Sequence, residues 1–282
     1  MRYKLVFQNS IGSVEFSAKT GIVISAFSSF GAQNVTFDST QLNRDIGEKL
    51  AYQSVNSKSI AVRGTILGPA DALREQMKHV IAPLAEAKLI YNDEYELTVY
   101  VKTSPDIERY SHNANFSFSL YAPYPYWFKK TREQTMLVGL KPLFSFPWNI
   151  SDPNPFSFSE VTDTGYVTIL NDGEAPAYWT VTLSALDEVV NPRVYNMQTG
   201  EYVKMLKTMS AGEQIILSNE GDELTVTCVS PDGEESDGFP YLEIESIPFK
   251  LAVGENYVKT DAETNTSALR AVISFKAPFV GV

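Results

Sequence analysis

GYVTILNDGEAPAYWTVTLSA, residues 165–185, carries the pattern on which the fold reading turns. Apolar and polar side chains alternate in YVTIL and again in YWTVTL, the period of a strand with one buried face. Between them NDGEAP holds Asp172-Gly173, a dipeptide that tolerates the positive φ angles of a tight turn. The same texture continues downstream. VYN, EYVKML, EQIILS, ELTVTCV, YLEIES and FKLAVGENYV follow at short spacing, and ALRAVISFKAPF (268–279) alternates again. Turn signals at Gly200, Gly212, Asn219–Asp222 and Pro231–Gly233 separate them, so this half predicts a β-sandwich.

Within it, NPRVYNMQTGEYV (191–203) is rich in turn chemistry and poor in reactive groups. Pro192 fixes φ and is expected to end strand pairing, while Gly200 supplies the positive φ of a tight turn after Thr199. The residues between them read as a short strand, with Glu201 leading into the next. The acidic SPDGEESDG (230–238) reads as a solvated hairpin tip.

Upstream, residues 1–66 also read as short strands: LVFQN (5–9), VEFSA (14–18), IVISAFSSF (22–30), VTF (35–37) and SIAVRGTI (59–66). The last places Ile60, Val62 and Ile66 on the core side. QLNRDIGEKLAYQSVNSK (41–58) is long and polar, and reads as an exposed arm or binding loop. Leu73, Met77, Val80, Ile81 and Leu84 recur at helical spacing and predict a helix over about 69–82. Gly68 would cap it, Pro69 suits its first turn, Arg74, Glu75 and Lys78 fall on the wet side, and Pro83 ends it.

Strands return in AKLIYN (87–92), YELTVYVKT (95–103) and NANFSFSLYAP (113–123). In the last, Phe116, Phe118 and Leu120 face one way and Ser117, Ser119 and Tyr121 the other. PYPYWFKK (123–130) reads as an edge or a domain exit. KPLFSFPWNISDPNPFSFSE (141–160), with four prolines and mostly aromatic apolar residues, reads as an ordered connection holding a small hairpin.

The whole-chain totals agree. At 282 residues a second domain is expected, and 44% hydrophobic with 20% charged residues is ordinary for a soluble folded protein. Aromatic residues at 12% favour strands. No apolar run nears the roughly 20 residues that span a bilayer. The opening MRYKLVFQNSIGSVEF has no signal-peptide pattern. Cys228 is alone, which rules out an internal disulfide framework and a cysteine-built zinc site. A formal charge of −11 argues against a surface built to grip phosphates, yet it suits a conduit that must repel DNA.

A search for chemistry finds little. His79 and His112 are the two histidines, one on the helix flank and one in a polar turn, and no GxSxG elbow is present. The 34 acidic residues leave a glycosidase pair open, but most fall in loops or on outward strand faces. GTILGP lacks the Gly-Lys-Ser/Thr ending of a phosphate loop. NDGE (171–174) and SNEGDE (218–223) gather oxygen ligands that could hold calcium, though both fit hairpin turns better. Trp179 reads as core. Trp127 and Trp148, flanking the connection, read as interface anchors, sugar-stacking rings or packing between domains. No catalytic, cofactor-binding or metal-binding residue is assigned, and no cofactor is implied. A protein that works through its surfaces remains.

The order of these pieces resembles the distal tail protein family of long-tailed bacteriophages and prophages. The resemblance is carried by Val62-Arg63-Gly64-Thr65-Ile66, Leu73-Arg74, the run from Phe116 to Trp127, VTILNDGEAP (167–176), Asn191-Pro192 with Thr199-Gly200-Glu201, and LAVGEN (251–256). It covers nearly the whole chain. It implies a mainly β protein with one α-helix: an N-terminal, β-sandwich-like ring-forming domain (1–130), a Pro/aromatic-rich connection (131–161) and a C-terminal galectin-like β-sandwich (162–282). It also implies a non-enzymatic hub of the tail tip or baseplate, a homo-oligomeric and hexameric ring. The implied partners are other copies of the chain, the tail tube protein, a tail-associated hub or lysin protein, the tape-measure protein and receptor-binding proteins. DNA would pass through the lumen without specific binding, and no membrane insertion is implied. The expected location is the virion tail tip, after synthesis in the bacterial host cytoplasm. A carbohydrate-binding module for host cell-wall attachment through the C-terminal domain is the alternative, and a wall-degrading glycosidase a third. The His-Asn-Arg cluster of a galectin sugar site does not stand out in 162–282, where there is no histidine.

Overall fold

The structure is a computed structural model, and it describes residues 4–28, 30–31, 33–41, 46–68, 71–108, 113–137, 140–142, 159–161 and 166–282. The chain is mainly β, with one α-helix among the described residues. In chain order the elements run β1 (Leu5–Gln8), β2 (Ser13–Phe16), β3 (Ile22–Phe27), β4 (Val35–Gln41), β5 (Glu48–Val55), β6 (Lys58–Ile66), α1 (Asp71–Val80), β7 (Glu86–Tyr91), β8 (Tyr95–Ile107), β9 (Ala114–Ala122) and β10 (Trp127–Lys129). Then follow β11 (Glu133–Met136), β12 (Leu140–Pro142), β13 (Ser159–Val161), β14 (Val167–Asn171), β15 (Trp179–Ala185), β16 (Val189–Asn196), β17 (Tyr202–Lys204) and β18 (Thr208–Met209). The series closes with β19 (Gln214–Ser218), β20 (Thr225–Val229), β21 (Glu235–Asp237), β22 (Gly254–Thr264), β23 (Leu269–Phe275) and β24 (Pro278–Phe279). Two compact units result: Met1–Thr131 with Pro278–Val282, and Arg132–Ala277. The last five residues thus group with the first unit, and the strand β11, inside the proline-rich connection, belongs to the second.

In the first unit the sheet runs β2-β1-β7-β8-β9-β6-β3, with β10 against β8 and β24 against β10. It curls far enough for its two outer strands to meet at an isolated bridge, Ser17↔Ile22. The alternation of β6 and β9 explains the core inside: Ile60, Val62, Ile66, Phe116, Phe118 and Leu120 are buried, and Ser117 and Tyr121 face out. Gly64 sits where β3 bulges at Ser25. A Cβ there would run into the Val23 carbonyl and come within 2.5 Å of the Phe116 ring, so VRGTI needs its glycine for close approach rather than for a turn.

The helix is shorter than expected. It spans Asp71–Val80, with one further bond from the Ile81 N–H to the Met77 carbonyl. Pro69 lies outside the described residues. Met77, Val80 and Ile81 are buried, but Leu84 is 93% exposed in a left-handed backbone conformation, φ 63°, so it belongs to the turn and not to the stripe. Arg74 also departs from expectation. It is buried, with Nη1 donating to Asp71 Oδ1 at 2.7 Å and Nη2 to the Glu108 carbonyl at 2.6 Å. A long side chain can turn inward when a carboxylate and a carbonyl await it, and helical spacing does not report that.

The second unit is a β-sandwich. One sheet runs β11-β23-β15-β19-β20-β21, the other β14-β22-β16-β17 with β18 also on β16. Val181, Leu183, Ile169, Val194, Val258 and Ile273 are buried between them. Two expectations fail here. YVTIL and YWTVTL are not the two arms of a hairpin: β14 pairs with β22 and β15 with β19 and β23, so NDGEAP carries the chain from one sheet to the other. Asn171 shapes that crossing. Its Oδ1 accepts from the Gly173 N–H, and its Nδ2 donates to the carbonyls of Ala175 and Leu251, each at 3.0 Å.

Nor does Pro192 end pairing. It lies within β16, opposite Ala262 of β22. On the other side β16 holds β18 up to Val190 and β17 from Arg193, and Asn191, at φ 50°, sits at the junction between these two partners. Gly200 does take positive φ, 76°, and its N–H donates to the Asn196 carbonyl. Residues 230–234 of SPDGEESDG join β20 to β21 as an exposed hairpin, and SNEGDE joins β19 to β20.

Candidate assembly interface

β4 and β5 form a two-stranded sheet of their own, closed at its base by the Asn56 N–H on the Asn34 carbonyl (2.8 Å) and by the Thr36–Asn56 side-chain pair. Asp38 faces Tyr52 and Ser39 faces Leu50, which leaves Ala51 as the extra residue of a β-bulge. Opposite residues share a face. Val35 with Val55, Phe37 with Gln53, and Ser39 with Leu50 therefore share the more apolar side, while Thr36, Ser54, Asp38, Tyr52, Thr40 and Lys49 line the other. Among the described residues nothing covers the apolar side: Phe37 is 63% exposed, and Val35, Leu50 and Val55 are exposed as well, as is Tyr52 on the opposite side.

An isolated two-stranded hairpin is marginal in water, and exposed β-branched and aromatic residues on it make it a candidate surface for a partner. The arm expected over 41–58 is therefore longer and starts earlier, at Val35. Its apolar residues went unread because they are interleaved with polar ones over two separate strands. The alternation VTF and LAYQSV, with no further strand to bury it, is the signal that could have found it.

The histidines and tryptophans take structural places or lie outside the described residues. His79 is on the exposed flank of α1, and His112 and Trp148 lie outside the described residues. Trp127 is core to the first unit: its Nε1 donates to the Phe30 carbonyl at 3.2 Å and its ring lies 4.8 Å from Phe30. Trp179 is buried in the sandwich, with Nε1 on the Phe249 carbonyl at 2.7 Å. Cys228 is buried, and burial pushes its thiol above the ordinary range. Asn171 of NDGE spends its side chain on backbone groups. Among the described residues no group of three or more His, Cys, Asp or Glu could hold a metal ion, and no helix is long and apolar enough to cross a membrane.

One polar cluster is new. On β16, β17 and β22 the Arg193 guanidinium grips Asp261 with Nε at 2.6 Å and Nη2 at 2.9 Å, and stacks 4.9 Å from the Tyr195 ring. Lys204 bridges Glu243 (3.1 Å) and Glu263 (3.0 Å), and Asn191 Nδ2 donates to Glu263 at 2.8 Å. The Asn191 amide and the Lys204 ammonium hold the Glu263 carboxyl below its ordinary range. The cavity among them is about 140 Å³. Both cations already have acid partners, so this patch pins strand register and offers no poised acid, base or nucleophile.

Residues 172–277 match the family described as siphovirus-type tail component, C-terminal domain. The whole chain shares its fold with SPP1 Dit (gp 19.1), described as a paradigm of the hub adsorption apparatus in phages infecting Gram-positive bacteria. The TM-score is 0.69 at 10% identity, covering 98% of this chain and 99% of that one. The chain has the Dit fold, and residues 172–277 carry the tail-component domain. This Dit-like fold is also found in the phage P2 baseplate in its activated conformation. With Ca the TM-score is 0.53 at 12% identity, and with Sr it is 0.51 at 14%, each covering 100% of this chain and 99% of the other. No curated protein sequence matches the chain.

Proposed function

We propose that this Dit-like chain is a non-enzymatic structural hub of a phage tail tip or baseplate. Copies join as a homo-oligomeric, hexameric ring that connects the tail tube to the tail-associated hub and adsorption proteins. The carrying observation is the β4–β5 arm, whose apolar face has no cover among the described residues. In a head-to-tail ring each subunit presents one patch and receives a different one, and a protruding arm meets that need. A groove of about 320 Å³ on the same unit, lined by Ile24, Ala26, Phe27, Phe30 and Tyr91, has matching apolar chemistry.

The likeness to a hub adsorption protein and to baseplate components supports assembly with other tail proteins: tube, tape-measure, hub or lysin, and receptor-binding proteins. The product is a virion part, made in the host cytoplasm. The formal charge of −11 favours a lumen through which DNA passes without specific binding. The division drawn from sequence, 1–130, 131–161 and 162–282 with a galectin-like outline for the last, is kept as a proposal, with residues 278–282 moved to the first unit and β11 to the second. Native mass measurement tests the ring: six copies are expected, alone or with tube and hub proteins, whereas a chain that stays monomeric with both partners present overturns it.

A further inference from the structure

The arm has an anchor that sequence order makes notable. Its base leaves the main sheet of the first unit near Phe30 and Gly31 and returns at Lys58, and residues 278–282 lie against both ends. β24 pairs with β10, Trp127 opposite Phe279 and Phe128 opposite Pro278. The Phe279 ring sits edge-on to Tyr95 at 5.5 Å, with Lys129 Nζ 5.5 Å from its centroid. Gly281 lies so near Gly31 that a Cβ on it would stand 2.7 Å from the Gly31 Cα.

Lys58 completes the clamp. It is only 4% exposed, and its Nζ donates to the carbonyls of Phe30 (3.3 Å) and Val280 (3.2 Å). Burial lowers its pKa. A buried ammonium is costly unless its donors are satisfied, so Lys58 holds the Phe30 end of the arm and the 278–282 segment together as one unit. The Phe30 carbonyl also accepts from Trp127, and Gln33 Nε2 donates to the Pro125 carbonyl, which ties the arm base to the strand that β24 completes.

Residues 278–282 follow the entire second unit in sequence, while every other strand of the first unit precedes it. We propose that 278–282 is a closing strap that sets the β4–β5 arm for self-association, so that the arm becomes competent only after the second unit has been made and the strap has docked. This rests on the reading of the arm as the self-association element. Physically, the arm is a two-stranded lever whose direction is fixed at its base, and the strap supplies a ladder strand, a ring contact and one acceptor of the Lys58 clamp. Without it the Phe30–Gly31 end loses its backing, and the arm samples directions that cannot all meet a neighbour.

The test uses the full chain. Gly281→Val blocks docking at Gly31, and Lys58→Met keeps the packed stem but removes the clamp. Hydrogen exchange and mass photometry are read on both, with Phe37→Asp as the arm control. Expected in both strap variants is exchange faster by roughly tenfold or more in peptides covering 30–41 and 48–58, with β8, β9 and the second unit unchanged. Self-association should weaken by at least roughly tenfold. If Gly281→Val unfolds the first unit, Lys58→Met alone carries the decision. Wild-type assembly in a variant whose strap peptide exchanges freely overturns the proposal, as does an arm that keeps wild-type protection while the strap is loose. If Phe37→Asp leaves assembly intact, the arm reading fails instead, and the exchange coupling between strap and arm still decides this inference.

Discussion

Among the described residues, the β4–β5 and β20–β21 hairpins are both exposed, and their chemistry is opposite. The β4–β5 arm of the first unit displays Val35, Phe37, Leu50 and Val55 on one exposed side. The β20–β21 hairpin of the second unit displays Asp232, Glu234, Glu235 and Asp237. The acidic hairpin is complete in water: its charges are solvated, Gly233 takes φ 86° at its tip, and the Ser230 N–H bonds the Glu234 carbonyl. The arm instead leaves apolar side chains in water. Burying what remains exposed of Phe37 alone would stabilise an interface by about 1–2 kcal/mol. Exposure by itself therefore says little, and the residue type that is exposed says which hairpin is the candidate for assembly.

The largest expected effect separates the two directly. Phe37→Asp with Leu50→Asp should weaken self-association by on the order of 100-fold, measured by mass photometry across a dilution series, because charges enter the apolar side. Glu234→Ser with Glu235→Ser should leave it within about twofold, since rim charges contribute little to affinity. Equal losses from both pairs would break the comparison.

Next in size is a stability effect confined to the acidic hairpin. Gly238 lies beneath it, and a Cβ there would stand 2.6 Å from Val226 Cγ1 and 2.8 Å from Cys228 Sγ. Gly238→Ala should lower the unfolding free energy of the second unit by about 1–3 kcal/mol, read by denaturant titration. The exposed Phe37→Asp should change that quantity by less than about 0.5 kcal/mol. A stable Gly238→Ala would mean that the hairpin is loosely seated after all.

The smallest effect is a pH dependence. Asn191 and Lys204 depress the folded carboxyl of Glu263 below its ordinary value of 4.5. A depressed carboxyl contributes stability above its unfolded value, and that contribution is lost as pH falls through the folded value. The second unit should thus lose a little stability on acidification below pH 4.5, and Glu263→Gln should flatten that limb of the curve. Because the group is exposed, solvent screening keeps the shift slight. An unchanged slope in the variant would remove Glu263 from the account.

Much of the fold was legible in advance where the determinant is local. Phe116, Phe118 and Leu120 declare their buried side by alternation, Gly200 and Gly233 declare turns, and Met77, Val80 and Ile81 declare a helix face. The candidate assembly surface was half legible. The polar stretch 41–58 announced an arm, but its apolar side depends on the pairing of Val35 with Val55 and of Ser39 with Leu50, which brings distant residues onto one face. Arg74 was misread because the Glu108 carbonyl that draws it inward is 34 positions away.

By itself the sequence determined the β class, the single described helix, most turns and the absence of familiar catalytic motifs, because each of these is written within a few consecutive residues. Only the tertiary structure decided which strands are partners. It separated β14 from β15 into different sheets across NDGEAP, kept Pro192 inside a strand that changes neighbours on one side, and returned residues 278–282 to the first unit. Alternation states that a face will be buried. What buries it is settled by contacts among segments tens to hundreds of residues apart, and no short stretch of sequence contains that information.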